Sequence, residues 1–363
     1  MKRKLRGCLL AVLGIAIMLV IGTWLVLTQP IAARSRPEGV PPRMPTVDAT
    51  RLQSHVRTLS ERFHPRDWRH PQNLDRVAAY IGEEFRRAGG RASEQVYSVQ
   101  GREYRNVIAR FGPESGERIV VGAHYDTAGE QPGADDNASA VAGLIELAHL
   151  LGRAGRAEDA AWPGKAALTE PTAVAGRTAP PVGAEYAAPR LAVELVAYTL
   201  EEPPFFGTLQ MGSAVHARAL RDQSVPVRVM ICLEMIGYFR DEPGSQSYPL
   251  SLLKLFYPAR GDYIAVVGKL GEGGVVRRVK AAMRVASPLP VRSINAPAIV
   301  PGLDFSDHLN YWNAGYKAVM ITDTAFYRNR HYHDIGDTWD TLDYERMAMV
   351  VQGVYAAVLA YGS

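Results

Sequence analysis

Five short segments carry residue types that can bind metal or move protons: GAHYDT at 122–127, PGADDNASA at 132–140, LEEPPFFGTLQMGS at 200–213, CLEMIGYF at 232–239 and NRHYHDIGDTWDTLDYERM at 329–347. His124 closes an apolar run and can ligate a metal, and Asp126, two residues on, can hold the imidazole in one tautomer. Asp135 and Asp136 offer carboxylates after Gly133, and Asn137 and Ser139 can cap a following helix. Glu201 and Glu202, directly after an apolar run, are costly to bury unless something positive faces them. Glu234 is an acid inside an apolar run, and His333 stands among several carboxylates. Each has an ordinary reading when taken singly: a loop pair, acids at a helix start, a solvated strand end, a core acid with a partner. Together, His124, Asp136, Glu202, Glu234 and His333 form a hard nitrogen and oxygen donor set. The only cysteines are Cys8 and Cys232, so a thiolate cluster is excluded. Two zinc ions sharing a bridging carboxylate suit such a set, and Glu201 can take a proton from the water they acidify.

Residues of this kind need a frame that brings distant segments to one place. The runs Arg118–Ala123, Leu191–Leu200, Val225–Leu233 and Lys317–Thr322 each end in polar residues, and helix-like stretches at 137–151 and 208–221 lie between them. That alternation predicts an α/β fold, a mostly parallel mixed sheet sandwiched by helices, with the site at the carboxyl ends of the strands. A helix is expected from Pro71 to the stop at Gly89-Gly90, with strands at 95–100 and 104–111 and a packed final helix through Tyr344, Met347, Val351, Val354 and Val358. Residues 152–190, rich in Ala, Pro and Gly and without a period, are expected to be a flexible insertion.

The chain has 363 residues, 47% of them hydrophobic and 21% charged, which is the composition of a folded protein. The net charge is only +4, part of it in MKRKLR at the start, so no nucleic-acid partner is expected. Residues 7–28 are uncharged, and a run of ~20 apolar residues spans a bilayer. The expected division is therefore a basic start and transmembrane anchor over 1–28, a linker over 29–47 and a catalytic domain over 48–363. The basic flank orients the anchor with its N-terminus in the cytoplasm, so the domain is expected on the periplasmic or outer side of the cell membrane. A cleaved signal peptide is the alternative, and it places the domain on the same side.

From about residue 50 to 360, these five motifs in this order resemble the bacterial leucyl-aminopeptidase type of two-zinc exopeptidase, in a superfamily with glutamate carboxypeptidase and glutaminyl cyclase. The resemblance implies a zinc peptidase with two zinc ions per chain, acting on peptide substrates. It implies that His124 and Glu234 bind one zinc, Glu202 and His333 the other, and Asp136 both, across a cis bond to Asn137. Glu201 is then the general base, and Asp126 orients His124. The family usually has Asp where this chain has Glu234; the longer arm can shift the first zinc or admit another metal. Asp307-His308 is expected to support the site wall, and Tyr327, Arg328, Asn329 and His331 to line the pocket. A glutaminyl-cyclase-like acyltransferase, a carboxypeptidase and a non-catalytic binding domain are the alternatives to an aminopeptidase.

Overall fold

The computed structural model describes residues 2–30, 36–161 and 189–362, without the side chains of 2–12, 16 and 157–161. Eight strands form one sheet in the order β1-β2-β4-β3-β5-β8-β6-β7. They are β1 (Arg91–Val99), β2 (Arg102–Phe111), β3 (Arg118–His124), β4 (Ala192–Tyr198), β5 (Val227–Glu234), β6 (Ile264–Lys269), β7 (Val291–Ala296) and β8 (Ala318–Thr322). The four central strands, β4, β3, β5 and β8, are mutually parallel, whereas β1/β2, β2/β4 and β6/β8 pair antiparallel. The sheet is therefore mixed with a parallel centre, as expected from the alternating runs.

Burial on both faces explains why the central strands read as continuous apolar runs. In β5, Val229, Ile231 and Leu233 enter one core, and Met230 and Cys232 enter the other. The first core is covered by α2 (Ala49–Arg57), α3 (Pro71–Arg87), α4 (Ala140–Ala161), α6 (Gly273–Ala286) and α8 (Tyr344–Gly362). The second lies under α5 (Gly212–Asp222) and α7 (His308–Asn313). Local signals set the helix ends. The Asp48 carboxylate accepts from the N–H groups of Thr50 and Arg51, and Pro71 opens α3.

Several expectations shift. β6, α6 and β7 lie in a stretch where no elements were expected; six-residue strands, one interrupted by Gly268 and the other set between Pro290 and Pro297, leave little pattern. α4 continues to Ala161, ten residues into the segment expected to be aperiodic, because Ala, Arg and Glu favour helix there. Gly152 is required where α4 crosses the end of α3, since a Cβ would sit 1.7 Å from the Ala88 carbonyl oxygen. Residues 162–188 of that insertion lie outside the described residues. The linker packs on the domain from Val40 onward: Val40 and Val47 are buried, and Gln352 donates to the Pro45 carbonyl.

The N-terminal helix α1 spans Lys2–Thr28 and exposes a run of apolar side chains, among them Leu13, Ile17, Met18 and Leu19. Among the described residues no helix is long and apolar enough to cross a membrane. The carboxyl end of α1 is locked to the domain. Lys280 Nζ donates to the carbonyls of Thr28 (2.7 Å) and Gln29 (3.3 Å) and to Ser293 Oγ (3.1 Å). A cation there also meets the negative end of the helix dipole.

On the second face Glu194 of β4 accepts from Arg110 Nε (2.6 Å) and Arg118 Nη1 (2.7 Å), with His216 Nε2 at 2.9 Å. Burial opposes its ionisation, but His216 and Arg110 prevail and hold its pKa down at about 2, against an ordinary 4.5. A depressed carboxylate stabilises the fold above its unfolded pKa and ceases to as pH falls through the folded one. Glu194→Gln is therefore expected to lose about 3 kcal/mol of stability at neutral pH. In denaturant titrations the gap to wild type should close as pH falls from 4.5 toward about 2.

Candidate metal centre

The carboxyl ends of the parallel strands converge, which is where α/β sheets bind ligands. His124 is the last residue of β3 and Glu234 the last of β5. Glu201 and Glu202 follow β4 in a loop, Asp136 lies in the irregular turn Ala134–Ser139 before α4, and His333 lies beyond β8. All five expected ligands and Glu201 come together. His124 Nε2 lies 3.4 Å from Asp136 Oδ1 and 3.3 Å from Glu234 Oε2. His333 Nε2 lies 3.2 Å from Asp136 Oδ2 and 3.1 Å from Glu202 Oε2. Each oxygen of Asp136 thus faces a different histidine. Donor atoms of His124, Asp136 and Glu234 fall within 4.8 Å of one another, as do those of Asp136, Glu202 and His333.

Hydrogen bonds between loops hold this arrangement. Asp126 takes a broader part than expected: its carboxylate accepts from the N–H groups of both Glu201 and Glu202, at 3.1 Å each. His124 Nδ1 lies 3.2 Å from the Asp126 carbonyl oxygen and 3.7 Å from its carboxylate, so the residue positions imidazole and glutamates together. Asn137 and Ser139 do not cap α4. Asn137 Oδ1 accepts from Met235 N, Ser139 Oγ from Ile236 N and Asp135 Oδ1 from Gly237 N, each at 3.0 Å. These bonds stitch the Asp136 turn to the loop after Glu234. The Asp136-Asn137 bond is cis, as the resemblance implies. Gly133, at φ 59°, makes the approach possible, since a Cβ would meet the Asp136 carbonyl oxygen at 2.3 Å. Leu200, Met235 and His333 also have left-handed backbone, at φ 58°, 49° and 56°, a costly geometry for residues with side chains that concentrates at functional sites.

Three supports lie outside the expected set. Asp337 accepts from the N–H groups of Asp135 (2.9 Å) and Asp136 (3.0 Å). Ser306 Oγ donates to Glu234 Oε2 at 2.6 Å. Arg66, fully buried, donates to the carbonyls of Leu59, Tyr125, Pro132 and Gly133 and ties the loop after β3 to the Asp136 turn. Asp337 was visible in sequence only as one acid among several after His333; Arg66 and Ser306 gave no signal. Asp307 and His308 are buried at the start of α7, outside the ligand groups. Arg328 is also buried, donating to Gln246 Oε1 and the Tyr238 carbonyl, which corrects its expected place in the pocket. Asn329 is likewise turned inward and bonds Asp135. An apolar cleft of about 840 Å³ of open space does begin at Glu234, walled by Tyr248, Tyr257, Phe305, Phe326 and Tyr332.

Electrostatics test whether cations fit. Asp136, Glu201, Glu202 and Glu234 are all at most 6% exposed, a formal charge of four minus before any cation is counted. Burial pushes Glu201 well above the ordinary carboxyl range, with His124 opposing and Glu202 and Glu234 adding to the rise. Burial and Asp136 push Glu202 up to about 8, against the pull of His333. Burial opposes a charge on His124, but Glu234 and Glu201 prevail and raise its pKa well above an ordinary imidazole. Without cations the cluster gathers protons to offset its charge. Glu202 Oε1 is buried with no hydrogen-bond partner. Two divalent ions balance four carboxylates, and imidazole with carboxylate is a donor set suited to zinc, so the residues fit the metal.

A fold with a parallel centre and this oxygen- and nitrogen-rich cluster at its strand ends is built to hold metal, and the chain's family makes it a metallopeptidase. The chain belongs to peptidase family M28, whose model matches residues 106–358. It is 46% identical over 311 residues to the uncharacterized protein YfbL of Escherichia coli K12, covering 84% of this chain and 85% of that one. The LapA aminopeptidase of Legionella pneumophila shares the fold at a TM-score of 0.62 and 17% identity, over 87% of this chain and 72% of that one. A glutaminyl cyclase of Bacteroides thetaiotaomicron does so at 0.58 and 19%, over 87% and 99%.

Asp337→Ala removes the acceptor for two N–H groups behind Asp136 without touching a ligand. It is expected to lower zinc affinity about 10- to 100-fold with the circular dichroism of the fold retained, measured by competition with a chelating dye.

Proposed function

We propose that this metallopeptidase is a two-zinc aminopeptidase, anchored in the cell membrane by residues 7–28, that removes N-terminal residues from peptides on the periplasmic or outer side. The observation that carries the reading is the bridging placement of Asp136, with one oxygen toward His124 and the other toward His333. His124 and Glu234 would hold one ion and His333 and Glu202 the other. When bound, the pair supplies Lewis acidity toward the scissile carbonyl and makes water more acidic. Glu201 reaches into the same space, its Oε2 3.9 Å from His124 Nε2; it groups with His124 and Glu202 and stands outside the two groups that share Asp136. Its burial among acids sets a raised proton affinity, which suits a group that takes a proton from attacking water and returns it to the leaving amine. The cleft beside Glu234 would receive the side chain of the released residue, and its aromatic walls favour a large apolar one. The anchor is supported by the uncharged run over 7–28 behind MKRKLR and by the exposed apolar side chains of α1.

A one-zinc glutaminyl-cyclase-like acyltransferase is the second reading, and one contact favours it. Glu234 Oε2 accepts from Ser306 Oγ, so this carboxylate has a protein partner without any metal.

The full chain in detergent, with zinc, should cleave peptides with a free N-terminal Leu or Phe and leave N-acetylated ones intact. Cyclisation of N-terminal Gln without hydrolysis would move the assignment to the second reading. Glu201→Gln is expected to keep its zinc and lose about a hundred- to ten-thousandfold in kcat; a rate near wild type would remove Glu201 from proton transfer.

A further inference from the structure

A second cleft, of about 750 Å³ of open space, lies where the end of α1 meets the catalytic domain. Trp24 and Thr28 of α1 form one side, and Lys280, Arg284 and Arg292 bring three cations to the other. None of the described residues lining it is acidic. Lys280 spends its donors on Thr28, Gln29 and Ser293. Arg284 and Arg292 are exposed and form no hydrogen bond or ion pair among the described residues. Burial lowers the Lys280 pKa to about 8, with Arg284 and Arg292 adding to the fall, so the three cations feel one another without an intervening anion. Phe256 and Pro290 give the cleft an apolar flank. The turn just before Phe256 exposes Leu250, Leu252 and Leu255, at 50%, 59% and 73%, with Lys254 among them.

We propose that this cleft seats the phosphate of an anionic phospholipid and that the leucine-bearing turn beside it enters the headgroup layer. The proposal rests on the membrane-anchor reading of α1. Its chemistry is that of a membrane interface: an indole at the end of an apolar helix, unpaired arginines for a phosphate, and adjoining leucines for the upper acyl chains. Tyr257, Arg292 and Ser293 line both this cleft and the apolar cleft that begins at Glu234. The substrate pocket would then lie against the bilayer surface, which favours peptides held there by an apolar N-terminal residue.

Alkaline carbonate washing of membranes carrying the full chain tests the anchor separately: release into the supernatant refutes the anchor and this proposal with it. With the anchor retained, the purified full chain is offered phosphatidylglycerol, phosphatidylcholine or inorganic phosphate, and retained lipid is read by native mass spectrometry. Retention of phosphatidylglycerol over phosphatidylcholine is expected, and Arg284→Ala with Arg292→Ala should reduce it about tenfold or more. Equal retention of both lipids, or no loss in the double variant, overturns the lipid seat; inorganic phosphate competing at equal concentration assigns the site to free phosphate instead. In a Cys8→Ser background, a fluorophore on Leu252→Cys should be quenched by headgroup-labelled lipid, and one on Val96→Cys, exposed on β1 at the sheet edge opposite β7, should not. An unquenched Leu252 label overturns the contact of this face with the bilayer.

Discussion

Four carboxylates closed off from water in one small space are the constraint on which the rest of this structure depends. Asp136, Glu201, Glu202 and Glu234 cannot all stay ionised there without compensation: burial and neighbouring acids raise Glu201, Glu202 and Glu234, while His124 and His333 hold Asp136 down against its burial. The two histidines offset part of that charge at most. Arg66 stands behind the site, but its guanidinium is occupied by four carbonyls and contacts no ligand carboxylate. The compensation this donor set suits is a divalent metal cation.

The fold serves that constraint at each level. Parallel pairing of β4, β3, β5 and β8 places their carboxyl ends along one edge. Residues that end the strands, and others in the loops that follow them, then meet, although they are up to 209 positions apart, from His124 to His333. Since apolar packing orients strands but does not aim loops, side-chain acceptors fix the last few ångströms. Asp126 holds the Glu201–Glu202 backbone, Asp337 holds the Asp135–Asp136 backbone, and Asn137 and Ser139 hold the loop after Glu234. Left-handed backbone at Leu200, Met235 and His333 shows where loop geometry yields to ligand placement.

Much of this was legible in the sequence because the clustered ionisable residues punctuate apolar runs. An ionisable residue at the end of a buried strand breaks pattern, and His124, Glu201, Glu202 and Glu234 all do so. Asp136 and His333 were identifiable through motif order. The supporting acceptors were harder: Asp337 and Asp126 bond backbone N–H groups, an interaction that leaves no periodicity and no fixed spacing. Asn137 and Ser139 carry the residue types of a helix cap, and only the tertiary fold redirects them to another loop. The strands β6 and β7 escaped because each is six residues long and ends in no reactive group. The packing of residues 40–47 against α8 likewise depends on a partner more than three hundred positions away.

The account stands most directly on how many metal ions the charge cluster holds. Native mass spectrometry of the full chain, released from detergent after equilibration with limiting and then excess zinc, counts them per chain. Two bound zinc ions, with Asp136→Ala lowering occupancy of both, are expected if one carboxylate serves two ions. A single zinc at saturation, unaffected in occupancy by Glu234→Ala, would contradict the two-ion balance and leave Glu234 as a hydrogen-bonding group alone.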